Sequence, residues 1–258
     1  MRHFSSDGVD IAFIDNAAHE PVAPGGGAPV MLVHGFASTH AVNWVNTLWT
    51  TTLGRAGFRV VALDHRGHGQ SEKLYDPAQY GPAIMAEDVR RLMDHLAIER
   101  ADVIGYSMGA RITAQLAVAH GDRVRSAVLG GLGMRLVEGT LFSTGIAEAM
   151  EAPSIDDVTD PSLRTFRAFA DQLKADRRAL AACVRGSHQP MTREQCAGIV
   201  APVLVAAGTK DPLANDPDKL AALFRDGRVL EIPGRDHNLA VGDRVHKQGV
   251  LDFLTARL

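Results

Sequence analysis

The chain has 258 residues, of which 46% are apolar and 22% are charged, and its formal net charge is −3. This composition is typical of a soluble globular protein that is long enough to bury a substantial core. A charge so close to neutral favours neither a nucleic-acid partner nor a membrane surface, and no window reaches the roughly 18 apolar residues of a membrane span. We therefore expect a small-molecule partner, and the composition does not determine the oligomeric state.

The first residues favour a cytoplasmic location. Residues 1–8 lack the continuous apolar segment that a signal peptide needs. In a protein without an export signal, Cys183 and Cys196 are expected to be free thiols rather than a disulfide.

In chain order, the predicted elements begin with a hairpin and continue as alternating strands and helices. Residues 2–5 and 9–15 flank an Asp7-Gly8 turn, and a Pro/Gly-rich connector leads to an apolar strand at 30–33. Further buried strands are predicted at 58–63, 102–105, 124–129, 203–207 and 228–232. Helices are predicted at 82–96, directly after Ser107, near 217–224 and near 244–258. Apolar strands separated by amphipathic helices indicate an α/β fold, with a mostly parallel central sheet covered by helices on both faces.

Residues 134–198 interrupt this alternation. They contain helical patterns at 162–173 and 175–184 but no convincing buried strand. We predict that they form a helical cap inserted into a core made of residues 1–133 and 199–258. Met134 and Phe142 are candidates for a substrate-facing wall, although most apolar residues of such a cap would form its own core.

The most informative motif is a Gly-x-Ser-x-Gly pentapeptide at 105–109. It follows the apolar run 101–104 and leads without a loop into the Ala-rich helical pattern 110–119. A serine in a sharp turn between a strand and a helix presents its hydroxyl at the end of the strand. The two glycines leave room for the turn, because a Cβ at either position would crowd it. This pattern predicts that Ser107 is a nucleophile.

A serine hydroxyl needs a base held by a carboxylate, and two loops after later strands can supply both. Asp211 follows the strand at 203–207, and His237 follows the strand at 228–232. The carboxyl ends of parallel strands meet at one edge of the sheet, where Ser107 is also expected. His246 is a poorer base because it falls within the final helix.

Three other acids compete with Asp211. Asp216 and Asp218 lie farther into the loop or at a helix start, where capping explains them. Asp236 adjoins His237 in the sequence, so its side chain is expected to point elsewhere. Asp211 is favoured by its position in the loop.

An acyl-transfer site also needs donors for a developing oxyanion. The backbone N–H of Met108, at the start of a helix, is one candidate, and the N–H of Phe36, in the loop after residues 30–33, is the second. The Phe36 ring would also line the acyl pocket. His34 in the same loop is either a second base or a buried imidazole that holds the loop, and we favour the latter.

Two further patterns carry little weight. His65-x-x-His68 has a spacing found in metal sites, but its Gly-rich loop offers no acidic third ligand. Gly67-x-Gly69 lacks the third glycine and the acidic residue of a dinucleotide site. We therefore predict no metal.

Together these motifs resemble the α/β-hydrolase family over nearly the whole chain. The resemblance rests on His34-Gly35-Phe36, the loop 64–71, the pentapeptide 105–109, Asp211 and His237. It implies an eight-stranded, mostly parallel sheet, a triad of Ser107, Asp211 and His237, and an oxyanion hole from the amides of Phe36 and Met108. It implies no cofactor.

We therefore expect a serine hydrolase that cleaves a carboxylic ester of a small apolar molecule through an acyl-enzyme. Relatives with the same triad cleave a carbon–carbon bond of a ring-fission product, so that reaction is an alternative, as are lactonase and perhydrolase activities. A ligand sensor that keeps the pocket without catalysis is a further alternative, and the intact triad argues against it.

Overall fold

The computed structural model describes residues 1–17, 26–139 and 145–256. Its centre is an eight-stranded sheet in the order β1-β2-β4-β3-β5-β6-β7-β8. The strands are β1 (Arg2–Ser6), β2 (Val9–Asn16), β3 (Pro29–Val33), β4 (Arg59–Leu63), β5 (Ala101–Tyr106), β6 (Val124–Gly130), β7 (Val203–Gly208) and β8 (Gly227–Ile232). All the predicted strands are confirmed, with ends that shift by one or two residues. Phe142, one of the predicted substrate-facing residues, lies outside the described residues.

The register of the sheet brings the carboxyl ends of the central strands to one edge. β2 is antiparallel to β1 and to β4, whereas β3 to β8 run parallel to one another. Val33, the last residue of β3, pairs with Leu63 of β4 and with Gly105 of β5. At the other side of the sheet, Gly208 pairs with Ile232. The loops that follow these strands therefore share an edge, as the mostly parallel sheet predicted.

The α-helices in the described residues flank this sheet, and several of them lie in the long interval between β6 and β7. They are α1 (Trp49–Arg55), α2 (Pro82–His95), α3 (Met108–Ala119), α4 (Arg135–Glu138), α5 (Gly145–Glu151), α6 (Pro161–Gln172), α7 (Arg177–Gly186), α8 (Arg193–Gly198), α9 (Pro217–Ala221), α10 (His237–Ala240) and α11 (Arg244–Thr255). Five of them lie outside the predicted helices. These are α1, the helices α4, α5 and α8 within the interval expected to be helical, and α10, which begins at His237 where a loop was expected.

The sheet separates two hydrophobic clusters, because successive side chains of a strand point to opposite faces. In β5, Val103 belongs to the cluster that includes residues of α2 and α3. Ile104, the next residue, belongs to the cluster that includes residues of α1 and α11. All six residues of β5 are buried, as expected for a strand that is covered on both faces. The predicted fold class is therefore confirmed.

Local sequence signals explain several helix starts. Pro82 occupies the first position of α2, where a proline loses no helical hydrogen bond. The side chain of Asp160 accepts hydrogen bonds from the first turn of α6, and that of Asp176 does the same for α7. Both helices were predicted from their periodicity, and they begin within two residues of the predicted positions.

Five helices, α4 to α8, lie between β6 and β7, and the described residues of this interval contain no strand. The insert contacts the helix that follows Ser107. Cys183 Sγ of α7 lies 3.9 Å from Met108 Sδ, and the guanidinium of Arg111 in α3 donates to the carbonyl of Ser187, 3.2 Å away. These contacts bring the insert close to Ser107. Its boundaries as a separate cap at residues 134 and 198 stay a prediction.

Cys183 and Cys196 are free, as predicted, and both are buried. Burial raises the pKa of Cys183 to about 12 and that of Cys196 to about 11, so both remain thiols at neutral pH. Within the described ranges, no helix combines the length and the apolar character needed to cross a membrane.

The turn between β5 and α3 requires both glycines of the pentapeptide for steric reasons. An added Cβ at Gly109 would lie 1.9 Å from the carbonyl oxygen of Val33, and one at Gly105 would lie 2.3 Å from the carbonyl oxygen of Gly109. Neither glycine has a positive φ. The requirement is therefore the close approach of α3 to β3 and β5, not an unusual backbone conformation at the glycines.

We expect Gly109→Ala to lower the free energy of unfolding by about 3 kcal/mol or more, because overpacking against backbone cannot relax by a side-chain rotation. Gly198→Ala is the matched control: it also lies in a helix, and an added Cβ there meets nothing within 4 Å. Urea-induced unfolding measures both changes. Equal stabilities of the two variants would contradict the close approach.

Candidate active site

Ser107 occupies a strained turn between β5 and α3. Its backbone has φ 55° and ψ −115°, a region that residues with a side chain rarely adopt. Its N–H donates to the carbonyl of Gly130 at 2.8 Å, which fixes the turn against the end of β6. Such strain at a sharp turn is the geometry expected of a serine nucleophile presented at the edge of a sheet.

His237 and Asp211 are in direct contact. The Nδ1–H of His237 donates to Oδ2 of Asp211 at 2.8 Å. Oδ1 of the same carboxylate accepts from the N–H of Leu213 at 2.8 Å, so the loop after β7 fixes the orientation of the acid. With Nδ1 paired, Nε2 is the ring nitrogen available to accept a proton from a hydroxyl.

The competing acids lie elsewhere. Asp236 accepts hydrogen bonds from the N–H groups of Asn238 and Leu239 and so caps α10. Asp216 is exposed and pairs with Lys219 at 3.2 Å, and Asp218 is exposed in α9. The structure therefore brings His237 together with Asp211, the acid that its loop position favoured.

Two residues that the sequence did not single out, Tyr106 and Gly131, lie against the ring of His237. The hydroxyl of Tyr106 donates to the backbone carbonyl of His237 at 2.6 Å, and the two rings lie 5.3 Å apart. An added Cβ at Gly131 would lie 2.9 Å from Cε1 of His237 and 2.8 Å from Cζ of Tyr106. Gly131 directly follows Gly130, which accepts from Ser107. The imidazole therefore lies next to the turn that carries Ser107.

The loop after β3 lies beside the same turn. An added Cβ at Gly35 would lie 3.4 Å from Cβ of Ser107, and the N–H of Gly35 donates to Oδ1 of Asn43 at 2.7 Å. Asn43 therefore fixes the loop that carries Phe36. Met108 is the first residue of α3, and the N–H groups of a first turn have no partner within their own helix. The amides of Phe36 and Met108 stay the predicted oxyanion donors.

His34 is a buried imidazole that holds the loop, as favoured above. Its ring donates from Nδ1 to the carbonyl of Gly35 at 2.7 Å and accepts at Nε2 from the N–H of His65 at 3.0 Å. Burial lowers the pKa of His34 to about 4. Both ring nitrogens are engaged within the loop, so the ring is not placed as a second base.

His65 and His68 are also buried, and burial lowers the pKa of His68 to about 3 and that of His65 well below its usual value. His68 donates from Nδ1 to the carbonyl of Arg66 at 3.0 Å. The described part of the chain contains no group of three or more His, Cys, Asp or Glu side chains placed to hold a metal ion.

The predicted wall residues lie in the interior. The ring of Phe36 is 5.9 Å from that of His68 and 6.2 Å from that of Phe166 in α6, so Phe36 joins the loop after β3 to the insert. Met134 is buried in the same hydrophobic cluster as Phe36 and Met108. A substrate-binding role for Phe36 and Met134 stays a prediction.

We expect Gly131→Ala to destabilise the fold more than Gly234→Ala does. Both glycines have a positive φ, 62° and 70°, so alanine costs about 1 kcal/mol of backbone strain at either position. At Gly234, however, an added Cβ meets nothing within 4 Å, whereas at Gly131 it collides with His237 and Tyr106. Urea-induced unfolding should show an additional loss of about 1–3 kcal/mol for Gly131→Ala. Equal losses would mean that the ring of His237 lies elsewhere.

The buried histidines should make stability fall on acidification. His246 lies in α11, donates to the carbonyl of Ala240 at 3.1 Å, and has a pKa lowered by burial to about 4. Between pH 6.5 and 4 the unfolded chain binds a proton at this ring that the folded protein does not bind. The free energy of unfolding therefore decreases as the pH is lowered through that interval. His246→Phe should reduce this slope by about 1 kcal/mol per pH unit between pH 6 and 5. Urea-induced unfolding at pH 7, 6 and 5 measures it, and an unchanged slope would contradict the neutral buried ring.

Comparisons with known proteins agree with this fold. A family model described as the alpha/beta hydrolase fold matches residues 28–166. The dihydrolipoyllysine-residue acetyltransferase component of the acetoin cleaving system of Pseudomonas putida is 31% identical over 247 residues, which cover 89% of this chain and 64% of that protein. A 2-hydroxymuconate semialdehyde hydrolase of Pseudomonas sp. (strain CF600) is 36% identical over 107 residues, which cover 42% of this chain and 37% of the relative.

The chain thus spans less than two thirds of the length of these curated relatives. The crystal structure of a hydrolase from Pseudomonas aeruginosa PA01 superposes with a TM-score of 0.80 at 26% identity, covering 98% of this chain and 97% of that one. The family match extends over more than half of the sequence and includes β3 to β6 with the turn at Ser107. The protein therefore belongs to the α/β-hydrolase family.

Proposed function

We propose that the protein is a serine hydrolase that cleaves a carboxylic ester of a small apolar molecule. The observation that carries this proposal is the hydrogen bond between His237 and Asp211 at the sheet edge where the strained Ser107 lies. A carboxylate on one ring nitrogen fixes the tautomer that leaves the other nitrogen as a base.

In this mechanism Nε2 of His237 takes the proton of the Ser107 hydroxyl as the oxygen attacks the ester carbonyl. Asp211 stabilises the imidazolium that forms, because its carboxylate already accepts from Nδ1. The amides of Phe36 and Met108 bind the oxyanion, and His237 returns the proton to the leaving alkoxide. Water activated by His237 then releases the acid from the acyl-enzyme.

The apolar surroundings support a small apolar substrate. Phe36, Met108 and Met134 belong to one hydrophobic cluster with residues of α5, α6 and α7. Burial in apolar surroundings disfavours a charged acyl group. The side chains closest to the proposed oxyanion donors would therefore select by shape rather than by charge.

A second candidate reaction is hydrolysis of a carbon–carbon bond in a ring-fission product. Its support is the 2-hydroxymuconate semialdehyde hydrolase named above. That relative is 36% identical over its matched segment of 107 residues, against 31% over 247 residues for the acetyltransferase component. Lactone hydrolysis and perhydrolysis use the same nucleophile and base. A ligand sensor would bind in the pocket without turnover.

We expect Ser107→Ala to reduce kcat for p-nitrophenyl butyrate by about 10⁴-fold or more, because the nucleophile is lost. Asp211→Asn should reduce kcat by about 10²–10⁴-fold, since an amide cannot stabilise the imidazolium. Asp218→Asn removes an exposed acid of the same stretch of chain and should leave kcat within about twofold of the original value. Steady-state release of p-nitrophenol measures all three. Full activity in Asp211→Asn would disprove the proposed acid.

A panel of substrates separates the reaction classes. Turnover of short esters without turnover of a dienol-dione acid or a lactone supports the esterase. Preference for the dienol-dione acid by kcat/KM would establish the carbon–carbon reaction instead. Ligand binding without turnover of any acyl substrate would identify a sensor.

A further inference from the structure

A cavity of about 340 Å³ lies between the N-terminal end of α2, the middle of α3 and the segment that leads into α8. Neither Ser107, Asp211 nor His237 lines it. Its polar and charged lining includes Arg111, Gln115 and Gln189, and Gly81, Ala83 and Ile84 line it from the start of α2. The cavity is therefore separate from the proposed catalytic residues.

Arg111 brings a buried positive charge to this cavity. Its side chain donates to the carbonyls of Ser187 at 3.2 Å and Gln189 at 2.6 Å, yet the residue is only 3% exposed and its Nε finds no hydrogen-bond partner within the described residues. Burial lowers the pKa of Arg111 to about 10, so the guanidinium remains charged at neutral pH.

No ion pair of Arg111 with a carboxylate occurs among the residues that the structure describes. The two carbonyls satisfy donors but carry no net charge, so the buried cation is not neutralised. Buried charges in folded proteins are normally paired, because an unpaired one loses its hydration without compensation. An anion in the adjoining cavity would supply the missing charge.

The first turn of α2 faces the same cavity and also lacks an anionic partner from its own sequence. The helix has 14 residues, its N-cap is Gly81, no side chain caps it and its first turn contains no acidic residue. Pro82 has no N–H, so the amides of Ala83 and Ile84 are the first donors of the helix. Both residues line the cavity. A helix N-terminus carries a partial positive charge and unpaired N–H groups, which favour a bound anion.

The remaining lining indicates what kind of anion fits. Pro190 and Met191 contribute apolar surface, and Gln115, Gln189 and Gln195 contribute amides that can hydrogen-bond without adding charge. A volume of about 340 Å³ is that of a site for a small molecule rather than for a bare ion.

We propose that this cavity binds a small organic carboxylate, whose charged group pairs with Arg111 and the first-turn amides of α2 and whose apolar part contacts Pro190 and Met191. Arg111, Ala83 and Ile84 line the same cavity, so the guanidinium and the amides can bind one carboxylate there. Charge-assisted hydrogen bonds of this kind are the stronger ones in proteins. The ligand would join α3, the helix that follows Ser107, to the insert through the segment that carries Gln189.

The test is calorimetric titration with sodium benzoate, compared between Ala83→Glu and Ala83→Gln. Ala83 is exposed and lies in the first turn of α2, where an acidic side chain stabilises a helix, so both variants should fold. The introduced carboxylate should occupy the site and weaken benzoate binding by about tenfold or more, whereas the isosteric amide should leave the Kd within about threefold. Arg111→Met should also lose binding, and because the Ala83 pair tests the same site, the result does not depend on the folding of that variant.

Saturable 1:1 binding to the original protein and to Ala83→Gln, together with its loss in Ala83→Glu, supports the proposal. Three results overturn it: no binding of benzoate to the original protein, equal binding to the two Ala83 variants, or binding of inorganic phosphate with no binding of benzoate. Because this cavity contains none of the proposed catalytic residues, the outcome is independent of ester hydrolysis, and binding measured in Ser107→Ala keeps the two questions apart.

Discussion

The structure depends on the close approach of α3 to the ends of β3 and β5. The carbonyl oxygen of Val33 lies where a Cβ of Gly109 would be, so the helix begins with no space for a loop. Directly before this contact, Ser107 adopts a strained conformation with φ 55° and ψ −115°. The same contact places the first-turn amides of α3 beside the loop after β3. The turn at Ser107 and the proposed oxyanion donors thus lie around one packing contact.

The parallel sheet brings the remaining groups to that turn. Asp211 and His237 follow β7 and β8, and β6 lies between these strands and β5. Two residues, Tyr106 and Gly131, allow the loop after β8 to approach the end of β5 across β6 and β7. Tyr106 reaches the backbone carbonyl of His237, and Gly131 leaves the space in which the imidazole lies. The ring of His237 is therefore held by its neighbours at the edge as well as by Asp211, and the proposed role of His237 as a base needs such support.

Burial assigns different roles to similar side chains. His34, His65, His68 and His246 are completely buried, and desolvation lowers the pKa of each, so they serve as neutral hydrogen-bonding groups. His237 is partly exposed and has a carboxylate partner. Arg111 is a buried ion that pairs with no carboxylate among the described residues, and it lies beside a cavity. Residue type alone does not tell a neutral structural histidine from a proposed base, or a paired arginine from an unpaired one. Solvent exposure and the hydrogen-bonding or ion-pair partner make the difference.

The sequence by itself determined the strands, the parallel sheet and the turn at Ser107, because these follow from hydrophobic periodicity and from steric demands within a few residues. The order of the proposed nucleophile, acid and base is also a prediction from the sequence. The tertiary structure alone showed the contact between Asp211 and His237, the acid that the sequence had favoured. It also showed that Tyr106 and Gly131 surround the ring of His237, which the sequence could not show because Tyr106 and His237 are separated by 131 positions in the chain. The helices α1, α4, α5, α8 and α10 were not predicted individually, because each has at most seven residues and short helices are stabilised by packing rather than by propensity. Local patterns report local geometry, whereas a site assembled from distant loops depends on how the sheet brings those loops together.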